Sequence, residues 1–73
     1  MKKLVIEKYK SGLTVYCQRE YIAAIKEYLE AQDGVGSVRD LGKNTMQAFT
    51  TPLLESADIE RIEKDIHDIV EGN

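Results

Sequence analysis

Cys17 is the only cysteine and His67 the only histidine, so the side chains that most often bind transition metals are nearly missing. A single thiol cannot close an internal disulfide, and no two-cysteine metal or redox motif can be written. That usage suits a reducing compartment, and the expected location is the cytoplasm. Long apolar runs are missing too. Behind Met1, Lys2 and Lys3, the stretch Leu4 to Ile6 is broken by Glu7 and Lys8, well short of a signal-peptide core. No segment approaches the roughly 20 apolar residues of a membrane span. Positive charge is outnumbered, ten Lys and Arg against thirteen Asp and Glu. A net charge of −3 argues against nucleic acid as a partner, because its backbone is bound by cationic side chains that release counterions.

Apolar residues make up 42% of the chain and charged residues 32%, with the apolar ones in clear periods, which excludes a disordered polar tract. With 73 residues the chain has material for one hydrophobic core, and a single α+β domain over 1–73 is expected. A domain of that size buries only roughly 60% of the surface its unfolded chain exposes, so oligomerisation would add welcome stability. Charge is spread unevenly. Lys2, Lys3, Lys8 and Lys10 outnumber Glu7 at the start, whereas Glu55, Asp58, Glu60, Glu63, Asp65, Asp68 and Glu71 outnumber Arg61 and Lys64 at the end. The two ends are expected to attract each other or another molecule.

Leu4 to Tyr9 and Leu13 to Gln18 are rich in β-branched and aromatic residues on either side of a glycine-bearing turn, the pattern of a hairpin. With Ser11 and Gly12 as the loop, Lys10 pairs with Leu13, and Leu4, Ile6, Leu13, Val15 and Cys17 share one face. The other face carries Val5, Glu7, Tyr9, Thr14, Tyr16 and Gln18, which no other element obviously covers. Ile22, Ile25 and Leu29 recur at helical spacing within Arg19 to Gln32, and Asp33 with Gly34 ends that helix. Val35 to Leu41 and Met46 to Thr50 read as a second hairpin around Gly42, Lys43, Asn44 and Thr45, with poorer alternation and an open register. Thr51 and Pro52 stop the last strand. Ser56 is the expected N-cap of a final helix whose Ile59, Ile62, Ile66, Ile69 and Val70 form an apolar stripe, closed by Gly72.

Two strand–strand–helix units therefore follow one another, and a four-stranded sheet with both helices on one face satisfies every apolar stripe. This order resembles a ferredoxin-like sandwich in which the last strand has moved to the front. The resemblance implies a sheet order of first, second, fourth, third, and the second and fourth strands are expected to run parallel.

Chemistry-bearing patterns are sparse. Cys17 stands just before a helix N-terminus, where a thiol pKa is lowered, but in the favoured register it points inward as a packed residue. Strand, Cys17, helix and then Gly34, Val35, Ser37 and Val38 resemble heavy-metal-associated domains in order alone. Those domains carry two cysteines separated by two residues, and the matching positions here are Thr14 and Glu20. The glycines of Asp33 to Ser37 follow a helix, whereas phosphate cradles precede one. Gly42, Lys43, Asn44 and Thr45 suggest a phosphate loop, yet Ser37 stands where its first glycine belongs. His67 with Glu63 and Glu71 shares a helical face, which reads as solvated and paired rather than metal-binding. No nucleophile has a base near it in sequence, and no enzyme activity or cofactor is expected.

The four tyrosines offer more. Tyr9 and Tyr16 fall on the open side of the first hairpin, while Tyr21 and Tyr28 lie along one side of the first helix. Tyrosine is enriched at interfaces and also lines the edges of small cores. The expectation is a protein-interaction module, a regulator or inhibitor that docks and does no chemistry, with another protein or a second copy as partner. Its binding residues are Val5, Glu7, Tyr9 and Tyr16 on the sheet, or Glu60, Glu63 and Asp68 on the acidic helix. Small-ligand sensing near Gly34 and Gly36 by a dimeric ferredoxin-like domain is a second expectation, and an acidic decoy of nucleic acid a third.

Overall fold

The computed structural model describes residues 4–51 and 54–72, so Lys2, Lys3 and the strand-stopping role given to Pro52 lie outside the described residues. Its elements are β1 (Leu4–Tyr9), β2 (Gly12–Cys17), α1 (Arg19–Glu30), β3 (Val35–Gly42), β4 (Thr45–Thr50) and α2 (Ser56–Glu71). The strands form one sheet in the order β1-β2-β4-β3, an α+β fold compatible with the permuted ferredoxin-like arrangement. Among the described residues no helix is long and apolar enough to cross a membrane.

Every neighbouring pair of strands is antiparallel, β2 with β4 included, which corrects the expected parallel centre. The reason is a matter of counting reversals. The chain leaves β2, turns back through α1, turns again into β3 and once more into β4. Three reversals leave β4 opposed to β2, and the strand parallel to β2 is β3.

The first hairpin departs from expectation by its register. Tyr9 pairs with Gly12 and Lys8 with Leu13, so the loop is Lys10 and Ser11 rather than Ser11 and Gly12. The slip of two positions leaves each side chain on its original face, because the strand period is two. Leu4, Ile6, Leu13, Val15 and Cys17 still point into the core. In the second hairpin Lys43 and Asn44 form the loop, with φ of 53° and 61°, the left-handed pair of a type I′ turn. The Asn44 carbonyl accepts the Cys17 N–H at 3.1 Å, which ties this turn to the end of β2.

Both helices lie on one face and fill it. Ile25 and Leu29 of α1 and Ile62, Ile66 and Val70 of α2 are buried with Leu13, Val15, Cys17, Met46 and Ala48 of the two central strands. Each such aliphatic side chain contributes roughly 1.5–3 kcal/mol on burial, whereas an exposed ion pair contributes about 0–1 kcal/mol. Helix ends differ slightly from the reading above. Helix α1 stops at Glu30 with Ala31 as C-cap, two residues before Gln32, and Gly34 serves the following turn at φ 91°. The N-cap of α2 is Glu55, not Ser56, and the Glu55 N–H donates to Asp58 Oδ2 at 3.1 Å in a capping box. Gly72 closes α2 as expected, at φ 82°.

One polar link crosses between the helices. Tyr28 donates its hydroxyl to Asp65 Oδ2 at 2.6 Å, and Arg61 beside it reaches Gln32 Oε1 at 3.3 Å. Burial, with the Asp65 carboxylate behind it, pushes the Tyr28 hydroxyl up to about 12. A tyrosine with a raised folded pKa stabilises fully below its unfolded value near 10 and loses that contribution as pH climbs through the folded one. Urea midpoints of the wild type should therefore fall between about pH 10 and 12 more steeply than those of Tyr28→Phe. Parallel curves would remove the link from the stability of the protein.

Close approach of β2 to β4 depends on Gly12, whose hypothetical Cβ would lie 2.5 Å from the Ala48 carbonyl oxygen. Backbone cannot yield as a side-chain tip can. Gly12→Ala is expected to cost on the order of 1–3 kcal/mol in chemical denaturation. Gly36→Ala, whose Cβ would meet nothing nearer than 3.6 Å, should be neutral or mildly stabilising. Equal losses at the two positions would refute the role given to Gly12.

Candidate functional site

With both helices on one side, the other face of the sheet is left to solvent. Strand pairing arranges it in three rows running across the strands from β1 to β3. The first is Val5, Tyr16, Thr45 and Gly42, the second Glu7, Thr14, Gln47 and Arg39, and the third Tyr9, Gly12, Phe49 and Ser37. Of the large apolar side chains that remain exposed, Val5 (53%), Tyr9 (55%), Tyr16 (39%) and Phe49 (38%) belong to these rows. Leu41, also exposed, falls in the irregular pairing at the end of β3.

The middle row is polar, and Glu7 organises its outer end. Both flanking tyrosines donate to the same carboxylate oxygen, Oε1, at 2.6 Å from Tyr9 and 3.2 Å from Tyr16. Hydrogen bonding to Glu7, helped by desolvation, raises both hydroxyls above their ordinary value. A negative acceptor favours the protonated phenol, which fixes the rings in place. Tyr9, Gly12, Thr14, Gln47 and Phe49 line a shallow hollow of about 210 Å³, and Gly12 is buried at its floor. Thr14 is 5% exposed although it belongs to the open face, being screened by its taller neighbours. At the far end of the row Arg39 is exposed and forms no ion pair among the described residues.

Other candidate residues are placed elsewhere. Glu63 pairs with Lys8 at 3.3 Å, joining the basic start of the chain to the acidic helix as the charge layout anticipated. Asp68 pairs with Lys64 at 3.1 Å, and Glu60 is exposed near Lys8 and Tyr9, beside the seam between β1 and α2. Glu60 shares a hollow with Tyr9 at the edge of the sheet, whereas Glu63 and Asp68 line neither that hollow nor the one on the tyrosine face. Cys17 is buried, and burial raises its thiol pKa, opposite to the activation a helix N-terminus would supply. His67 is exposed on α2. Gly36 borders a shallow depression of about 300 Å³ with Glu30 and Val38, and no charged cluster converges there. A further hollow, about 670 Å³, opens between the start of α1 and the β3–β4 turn, with Arg19, Lys26 and Lys43 on its walls. Tyr21 and Tyr28 are half-buried at the edge of the core, so the tyrosines divide into two on the open face and two at the core.

Phe49, Gln47 and Arg39 belong to the open face and were not foreseen. The unbroken pairing of β4 with β2 sets Gln47 and Phe49 on that face, and Arg39 follows from the pairing of β3 with β4, which shifts between Val35 and Ser37 and again between Asp40 and Gly42. The clue in the sequence was Met46, Ala48 and Thr50 alternating with Gln47 and Phe49. Glu7→Gln should move the onset of tyrosinate absorbance to lower pH, since the acceptor loses its charge. An unchanged onset would mean that the hydroxyls do not meet this carboxylate in solution. Comparison of the chain with protein-family models, with curated proteins and with solved structures finds no match.

Proposed function

We propose that this chain is a non-enzymatic protein-interaction module, a regulator or inhibitor that acts by docking through the open face of its sheet. One observation carries the reading: Val5, Tyr9, Tyr16 and Phe49, four of the five large apolar side chains left exposed among the described residues, converge on a face that no helix covers. Apolar residues scattered over a surface are ordinary, but here they are gathered on one uncovered face, in two rows either side of a polar one, which suits a contact. Aromatic side chains suit that work because they supply broad, stiff area at small cost in rotamer freedom.

The acidic face of α2 is the weaker candidate, since Glu63 and Asp68 are already engaged by Lys8 and Lys64. A buried, unpaired thiol fits a reducing compartment, and we place the protein in the cytoplasm. The test is comparative capture from the native host. Proteins retained by the wild type should be depleted roughly tenfold with the double variant Tyr9→Ser/Tyr16→Ser, with circular dichroism unchanged. Capture that survives this variant but fails with Glu60→Lys/Asp68→Lys would move the docking site to α2 and overturn the reading.

A further inference from the structure

The rows of the open face have an internal order that identifies an occupant. In the first row, β1 and β2 carry the large residues, Val5 and Tyr16, while β4 and β3 carry the small ones, Thr45 and Gly42. The third row runs large, small, large, small, as Tyr9, Gly12, Phe49 and Ser37. The middle row is negative at β1, neutral in the centre and positive at β3, as Glu7, Thr14, Gln47 and Arg39. Each row is therefore the complement of its own reversal. Tyr9 reversed meets Ser37, Phe49 meets Gly12, Tyr16 meets Thr45, Val5 meets Gly42 and Glu7 meets Arg39.

Reversal of the rows is what a two-fold axis parallel to the strands, lying between two stacked faces, imposes. We infer that the open face is closed by a second copy of this chain about such an axis, with β1 of each protomer over β3 of its partner. This inference deepens the docking reading and rests on it. Two sheets packed face to face about 10 Å apart, with strands roughly 30° from parallel, form a common and stable layer. The partner's Phe49 falls opposite Gly12 and the shallow hollow it borders, and the same contact is repeated across the axis, as an isologous interface requires. Glu7 contributes the oxygen its tyrosines leave free, Oε2, to the partner's Arg39, a guanidinium with no ion pair in its own protomer among the described residues. An axis running across the strands is disfavoured, because it sets Glu7 against the partner's Glu7 and Arg39 against the partner's Arg39.

Sedimentation equilibrium from about 1 to 200 µM tests the proposal directly, because self-association depends on protomer concentration. The wild type should form dimers. Glu7→Arg and Arg39→Glu each place like charges opposite one another and should raise the dissociation constant roughly tenfold or more. The double variant Glu7→Arg/Arg39→Glu restores opposite charges and should dimerise again. Should a reversal disturb folding, oxidative cross-linking of a mixture of Glu7→Cys and Arg39→Cys chains gives an independent reading. Mixed pairs joining positions 7 and 39 support the arrangement, and pairs joining 7 to 7 overturn it. A monomer at every concentration, or a dimer indifferent to both single reversals, also overturns it. Neither result touches docking of a different protein, which is judged by the loss of capture with the tyrosine variant.

Discussion

A sheet has two faces, and 73 residues spent on four strands leave material for two helices. Four strands span roughly 14 Å between the outer two, and two helices packed 8–10 Å apart cover about that width. One face is thereby sealed and the other cannot be. Where the chain places its aromatic residues follows from that shortage. Had the open face been uniformly charged, a monomer with a thin core would be the natural outcome. Instead it holds two tyrosines and the only phenylalanine of the chain.

Apolar burial and polar contacts play different parts in holding this arrangement. Stability comes from the aliphatic residues shared by α1, α2, β2 and β4, since the surface ion pairs are exposed and individually weak. Their use is positional. Lys8–Glu63 holds the edge strand β1 against α2, and Tyr28–Asp65 joins the two helices. On the open side, Glu7 sets the angle of Tyr9 and Tyr16 through a shared oxygen. Fixing those rings beforehand lowers the ordering cost that any contact made through them would bear.

How much of this was legible depended on whether the period or the register carried the information. The apolar stripes of both helices, the inward face of the first hairpin and the burial of Cys17 rest on period alone. All survive a register slip of two residues, which is why an incorrect loop at Ser11 and Gly12 left the core assignment intact. The open face of β1 and β2 was legible for the same reason. Its other half was only partly so: the alternation of β4 and its unbroken pairing with β2 set Phe49 on that face, whereas β3 carries two register shifts that hide the face of Arg39. Strand direction needed a third kind of information. It follows from counting chain reversals, which no local pattern of residues records. The start of α2 was displaced by one residue because Ser56 is a common cap, whereas the reciprocal bonds of Glu55 and Asp58 fix Glu55 in that place.

The sheet also has two edges, and a bare edge is a rival to a bare face as a place for chains to meet. Both edges here are poorly suited to that use. Strand β1 alternates Glu7 and Lys8 and leads into Lys10, while β3 carries Arg39 and Asp40 between its two irregularities. Charges and bulges on an outer strand disrupt the straight ladder that edge pairing needs. Extension of the sheet by a further strand is thus discouraged at either side, while the apolar residues of the open face lack any such protection. Lys8 moreover is drawn toward Glu63 on the helical side, away from that face. The pattern disfavours growth of the sheet, so the proposed stacking of faces would give a closed pair and not an open-ended assembly.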